Sequence, residues 1–365
     1  PVTCLPVLSK VLELVVQEQV VRHFEENGLF GRGQCGFRKH KSTITALISM
    51  HDQLIRARDK KQYSGALFFD LSACFDTVNP EVFCRKLALY GFDSKSITWM
   101  FSYLSDRWQI VSISGEMSNK IQVHYGCPQG SCLSPIIFLI LVADIDLWTE
   151  TAKNYSFADD TSSVVSGDGR ETVIKGLEKE AKNIISFMTS NELMANPSKT
   201  GLLWVNPDNN MENTTIKIGE EVITSSKSFP LLGMKVDDNL NWKTHLDELC
   251  NALRQRICIL SRLSKFLPGA ILKMIAEGIF HSKLRYGISL FSKIRFVHED
   301  PQNMDMKRLQ VLQNSMIRVL IRKKKSDRIN MEEARKKLGF LSVNQMACYH
   351  ILTETHNILK YGSDM

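Results

Sequence analysis

Apolar and polar positions along the chain repeat with two periods, one helical and one of strands. Leu8, Val11, Leu12, Val15 and Val16 recur at helical spacing and predict an opening helix, broken by Asn27-Gly28 and Gly31-Arg32-Gly33. Ile44, Leu47, Ile48, His51, Leu54 and Ile55 share one face of a predicted helix at about 43–59. Gly65 to Phe69 is a short apolar run, read as a buried strand with Asp70 at its carboxyl end. Helical spacing returns at about 80–90 and 94–105. Gln109 to Ser114 alternates as a strand, and Gln122–Tyr125 reads as another. A loop, Gly126 to Ser131, precedes a strongly apolar helix predicted at about 132–149. Tyr155–Ala158 and Thr161–Val165 flank Asp159-Asp160 in the pattern of a tight hairpin. An amphipathic helix is predicted over 171–191, and strands at Gly201–Val205, Thr215–Ile218 and Phe229–Val236, the last with Gly233 inside it. From about 243 the pattern is almost wholly helical, with a break at Pro268-Gly269. Composition changes most sharply near 240–250, and a domain boundary is placed there.

Composition narrows the class. At 365 residues, 44% hydrophobic and 23% charged, the chain is long enough for two or three domains or one large lobed one, and bulk disorder is excluded. The longest apolar run, Ile136 to Ala143, stops at Asp144, far short of the roughly 18 residues of a membrane span. No basic-then-apolar leader opens the chain, so an intracellular protein without a membrane partner is expected. Nine cysteines form an odd, irregular set with no C-x-x-C pair, which argues for buried thiols over a zinc site or a disulfide framework. Gly-rich phosphate loops and H-E-x-x-H are absent.

Charge is uneven. Of 46 Lys+Arg and 39 Asp+Glu, residues 251–365 hold 21 and 9, a balance of +12; the first 250 residues hold 25 and 30, a balance of −5. The excess peaks at Arg322, Lys323, Lys324, Lys325 and Arg328. A clamp on nucleic-acid phosphates has this asymmetry, and so does a solvated helical surface.

The carboxylates carry more. Asp70 at a strand end and Asp159-Asp160 in a hairpin each have an ordinary reading, since Asp caps turns and tolerates turn geometry. Together they make a stronger case. Adjacent carboxylates repel, and divalent cations convert that repulsion into binding. Two Mg²⁺ about 4 Å apart activate an attacking hydroxyl and stabilise a departing phosphate oxygen.

These segments resemble the motifs of reverse transcriptases. Phe69-Asp70-Leu71-Ser72-Ala73-Cys74-Phe75-Asp76-Thr77-Val78 resembles motif A; Gly126 to Ser131 with Leu133-Ser134-Pro135, motif B; and Phe157-Ala158-Asp159-Asp160, motif C, in the family's order. The surroundings are similar to the non-LTR (LINE-type) retrotransposon branch. Leu5 to Glu13 and Gln34 to Arg38 with Ser42-Thr43 resemble its two fingers motifs. Asn196 to Thr200 resembles motif D, and Leu231-Leu232-Gly233-Met234 with Trp242 and His245 resembles the primer grip and the segment after it. Leu309-Gln310 to Ile317-Arg318 is a weaker match to the helical segment after the thumb. The first fingers motif opens at the very start of the chain, which predicts an N-terminally truncated fragment.

The resemblance implies an α+β right-hand polymerase: fingers at 1–64 with 80–125 shared, a palm with an antiparallel sheet at 65–242, a mainly helical thumb at 243–300, and a basic helical segment at 301–365. It implies RNA-directed DNA polymerisation, with an RNA template, a DNA primer and dNTPs as partners, two Mg²⁺ (or Mn²⁺ in substitution) as cofactors, and work in the nucleus. Asp70 and Asp159 would be the principal metal ligands, Asp160 would support them, and Leu71 would offer only its carbonyl. Phe75 stands where the family has its steric gate, a ring that excludes a 2′-hydroxyl. Arg38 would grip the triphosphate, Gln129 and Gly130 would meet the nucleotide sugar, and Lys199 would neutralise the leaving pyrophosphate. Leu232 and Gly233 would bring backbone to the primer end. Ala73, Cys74, Cys127 and Cys132 depart from common family residues, but none removes a ligand. An RNA-dependent RNA polymerase shares the palm carboxylates, and Phe75 argues against it. A catalytically inactive or domesticated nucleic-acid-binding relic is the other alternative, disfavoured by the intact carboxylates.

Overall fold

A computed structural model describes residues 5–69, 74–194, 200–207, 213–292 and 304–361. They form two compact units, divided between Lys227 and Ser228. The composition change read near 240–250 coincides with the start of a long helix inside the second unit.

The first unit opens with α1 (Val7–Glu26), α2 (Thr43–Asp59), β1 (Tyr63–Phe69), α3 (Pro80–Leu89) and α4 (Ser94–Leu104). It continues through β2 (Arg107–Gln109), β3 (Ser112–Ile113), β4 (Glu116–Met117), β5 (Ile121–Val123) and α5 (Ser134–Leu141). After these come β6 (Lys153–Phe157), β7 (Asp160–Gly167), α6 (Arg170–Ser190), β8 (Gly201–Val205), β9 (Thr215–Ile218) and β10 (Glu221–Thr224). Caps explain several starts. Ser42, Asn79 and Asp93 each accept a backbone N–H from the first turn of α2, α3 and α4. Pro80 sits at the first helical position, where its missing N–H costs nothing.

The sheet is fully antiparallel in the order β6-β7-β1-β8. Its central strand β1 is buried on both faces, as its continuous apolar run implies. Leu67 and Phe69 face the main core with Val165 and Trp204. There α6 lies so close that a Cβ at Gly65 would stand 2.3 Å from Leu177 Cδ1. Tyr155, beside Ser162 and Phe68 on the opposite face, hydrogen-bonds Gln53 of α2. Helices therefore cover both faces.

Three expectations for the first unit are corrected. The apolar stripe of α1 points outward: Leu8, Val11, Leu12 and Val15 are exposed, whereas Glu13, Val20 and Phe24 are buried. The predicted apolar helix at 132–149 is shorter, because the Leu141 carbonyl accepts from Lys86 Nζ (2.6 Å), and only a 3₁₀ turn, Ile145–Leu147, follows. The alternation at 109–114 is split between two short ribbons, β2 with β5 and β3 with β4, interrupted where Ser118 Oγ accepts the Val111 N–H. The strand β10 has no clear signal in the sequence.

The second unit holds a hairpin of β11 (Ser228–Leu231) and β12 (Met234–Asp237), so 229–236 is two strands with Leu232-Gly233 as the turn. Then come α7 (Lys243–Leu263), α8 (Gly269–Ala276), α9 (Ser282–Arg285), α10 (Ile288–Phe291), α11 (Met304–Leu320), α12 (Met331–Lys337) and α13 (Val343–Tyr361). Leu246, Leu249, Leu253 and Leu260 on α7 and Leu309, Met316 and Ile317 on α11 are the buried stripes of two packed helices.

Candidate active site

The site begins at the β6–β7 hairpin. Phe157 pairs with Asp160, leaving Ala158 and Asp159 as a two-residue turn. Ala158 alone of these has a positive φ, 58°, the pattern of a II′ turn, where Gly is usual. Ala158 is buried, Asp159 half-buried and Asp160 exposed. Phe69, the last residue of β1, pairs with Thr161, next to this turn. Asp70 and Leu71, expected as metal ligands, lie outside the described residues, and so does Lys199.

Cys74, buried just after Asp70 and Leu71, lies close enough to the Asp159 carboxylate to feel its charge. Burial first, and then that carboxylate, push the thiol up to about 12, so it stays protonated. Phe75 is half-buried, with its ring 5.2 Å from that of Phe138, and its carbonyl accepts from the Cys127 N–H (2.7 Å). Gly126 N–H donates to the Val78 carbonyl (2.8 Å). A Cβ at Gly126 would come within 2.8 Å of Asp76 Cα, and its φ is +83°, so this contact requires glycine. Gln129 Nε2 donates to Asp76 Oδ1 (2.8 Å), and Gly130 is exposed beside it. The end of motif A thus reaches both other motifs: Cys74 lies near Asp159, Phe75 meets Cys127, and Asp76 meets Gln129.

Arg38 is already engaged. Its Nε and Nη2 hold the two oxygens of Glu25 (2.9 and 2.6 Å), and its guanidinium lies 5.1 Å from the centre of the Phe30 ring. A phosphate there would have to take the place of Glu25. Leu232 and Gly233 belong to the second unit, where both have positive φ (47° and 76°), a I′ turn. The Tyr286 hydroxyl donates to the Leu232 carbonyl.

Two further residues shape the site. Glu13, 2% exposed, accepts from Ser131 Oγ (2.9 Å), the Cys132 N–H (2.9 Å) and Tyr103 Oη (3.0 Å), fixing the loop after Gly130 from behind. Its signal is an acid within an apolar helix. Gln34, within the second fingers motif, reaches the motif C turn itself. Among the described residues no three His, Cys, Asp or Glu side chains converge as a closed metal site. Asp159 and Asp160 nonetheless supply adjacent hard oxygen donors, one open to solvent, the type that Mg²⁺ takes.

The sequence pattern of the family described as reverse transcriptase (RNA-dependent DNA polymerase) matches residues 1–236, and this chain belongs to that family. Its four-stranded antiparallel sheet, covered by helices, gives it an α+β fold. A probable RNA-directed DNA polymerase from transposon X-element of Drosophila melanogaster is 24% identical over 332 residues, covering 88% of this chain and 35% of that protein. The RNA-directed DNA polymerase from mobile element jockey of Drosophila funebris is 23% identical over 310 residues, covering 79% and 33%. These relatives come from transposable elements, as the motif series implies, and the chain spans about a third of their length. A solved telomerase of Candida tropicalis, in complex with a fragment of telomeric RNA, is 14% identical with a TM-score of 0.45, covering 98% of this chain and 57% of that one. No described helix is long and apolar enough to cross a membrane.

Proposed function

We propose that this chain is a polymerase core that extends a DNA primer on an RNA template, adding dNTPs by attack of the primer 3′-hydroxyl on the α-phosphate with release of pyrophosphate. The observation that supports it is the junction of three motifs at one turn: Cys74 near Asp159, Phe75 on Cys127 and Gln129 on Asp76. Asp159 and Asp160, with Asp70 by sequence, would hold two Mg²⁺ (Mn²⁺ in substitution), which when bound supply hydroxyl activation and stabilisation of the leaving oxygen. The rest is positioning and charge. Phe75, braced by Phe138, is suited to exclude a 2′-hydroxyl. Gln129 and Gly130 border the same space, and Arg38 and Lys199 are proposed to meet the phosphates. Leu232 and Gly233 are proposed as primer grip, and the basic residues 322–328 as duplex-backbone contacts. Kinship with transposable elements supports work in the nucleus.

Dependence of dTTP incorporation on Mg²⁺, with poly(rA)/oligo(dT), tests this reading. Asp159→Ala is expected to abolish incorporation. Activity that survives in that variant would sink the assignment.

A further inference from the structure

We infer that Gln34 is a positioning residue that locks the Asp159–Asp160 turn in its metal-binding shape, an inference that rests on the polymerase reading. Residues 33–35 run beside the edge strand β6. The Cys35 N–H donates to the Ser156 carbonyl (2.8 Å), the Ser156 N–H donates to the Gly33 carbonyl (3.0 Å), and Gln34 aligns in parallel with Ser156. This docking turns the Gln34 side chain inward, where it is 6% exposed. Its Oε1 accepts from the Ala158 N–H (3.1 Å) and the Gly36 N–H (2.8 Å), and its Nε2 donates to the Ala158 carbonyl (3.3 Å).

One amide therefore serves both backbone groups of Ala158, the residue before Asp159. Ala158 belongs to the turn, so the β6–β7 ladder does not reach it. Its φ of 58° lies in the left-handed region that residues with a Cβ avoid. Pinning both ends of such a residue fixes the peptide that aims the next side chain, the carboxylate of Asp159.

The approach is built for this contact. A Cβ at Gly33 would stand 1.8 Å from the Asn154 carbonyl oxygen, and one at Gly36 would stand 2.2 Å from the Ala158 nitrogen. Glycines therefore flank the clamp on both sides because nothing larger permits it. The side chain is equally constrained. Glu keeps the acceptor and loses the donor, Met keeps the length and loses both, and Asn is one carbon short. A small cavity lined by Gln34, Gly31, Asp146, Asn154, Ser156 and Thr161 borders the side chain, so methionine has room to settle.

The test compares wild type, Gln34→Met and Gln34→Glu in the full chain, by Mn²⁺ titration with electron paramagnetic resonance, amide exchange and dTTP incorporation. In Gln34→Met the Mn²⁺ dissociation constant is expected to rise about tenfold and kcat to fall about 10- to 100-fold, as for lost groups that orient metal ligands, with the KM for primer–template within about twofold. Exchange at the Ala158 amide should quicken while the β1 amides keep their protection. Gln34→Glu should fall between the two, and it carries the test if the Met variant does not fold. A folded variant with unchanged Mn²⁺ affinity and unchanged Ala158 exchange overturns the inference. A wild type that incorporates nothing would fail the polymerase reading instead, and Mn²⁺ affinity and exchange would still decide the role of Gln34.

Discussion

Two of the hairpins among the described residues, β6–β7 and β11–β12, solve one backbone problem differently. In both, the first turn residue is a non-glycine at positive φ: Ala158 at 58° and Leu232 at 47°. A side chain distant in sequence ties each one down. Ala158 is gripped at its N–H and its carbonyl by the buried Gln34, whereas among the described residues a side chain, Tyr286, ties Leu232 at its carbonyl. The second turn also has Gly233 to take its other positive φ. The hairpin bearing the carboxylates is thus over-determined and the other is lightly tied. On the proposed function the difference fits the tasks: a turn that aims charged ligands needs a fixed peptide, while a turn that offers backbone needs only the right fold of the chain.

Glycine replacement separates the two most strongly. Gly36→Ala puts a methyl 2.2 Å from the Ala158 backbone nitrogen, so the clamp must back away from the turn. Overpacking of this kind costs roughly 1–3 kcal/mol, and a shift of about 1 Å at the carboxylates lowers turnover roughly 100-fold. Gly233→Ala meets only an ordinary contact, 3.5 Å from Tyr286 Cε1, and its burden is the positive φ, roughly 1–2 kcal/mol. Steady-state turnover and thermal unfolding measured on both variants check the contrast. Equal losses of turnover would erase it.

Acid sharpens the comparison next. The strand β12 is held to α7 by His245 Nδ1, which accepts the Lys235 N–H (3.3 Å). Burial, with Lys283 adding to it and Glu248 opposing, lowers this imidazole from 6.5 to about 4. The folded state thus binds fewer protons than the unfolded state between these values. Stability is full above pH 6.5 and is lost as pH falls toward 4, by roughly 2 kcal/mol at pH 5. Gln34, the corresponding tie of the first hairpin, does not titrate. Urea midpoints for the second unit at pH 7.5 and pH 5 should differ, and His245→Gln should shrink that difference. An undiminished difference would remove His245 from the account.

Legibility in the sequence divides along the same line. Local signals sufficed for α2, β8 and β9, where caps, a continuous apolar run and plain alternation agree with the fold. They placed the hairpin at Asp159 but set its turn one residue late, because Asp160 pairs with Phe157 and leaves Ala158-Asp159 as the turn. What they could not give was contact at a distance. Glu13 and Gln34 act on segments more than 100 residues away; an acid within an apolar helix marks Glu13 as unusual without naming its partner, and nothing local marks Gln34. The stripe of α1 misled because a helical period reports a helix without naming the side it buries, and here the buried side holds Glu13. Arg38 is a similar case: a basic residue in a polar turn gives no sign that Glu25 already holds it.

Smaller effects probe the ties themselves. Tyr286→Phe removes the hydroxyl that reaches Leu232 and keeps the ring beside Gly233. About 1 kcal/mol of the second unit's stability should go with it, read from urea unfolding. A loss near zero would mean that water replaces the phenol.

Ala158→Gly should change stability least. Glycine relieves the left-handed strain, about 1–2 kcal/mol, but loosens the unfolded chain by about 0.4–1 kcal/mol and forfeits a buried methyl of about 0.8 kcal/mol. The terms nearly cancel, so the unfolding free energy should stay within about 0.5 kcal/mol of wild type. Turnover should still fall a few-fold, because glycine enters other wells as easily and only Gln34 then selects the right one. The double variant with Gln34→Met should therefore lose more turnover than the product of the two single losses. If the losses simply multiply, backbone strain and side-chain clamp act independently, and the two hairpins differ less than their hydrogen bonds imply.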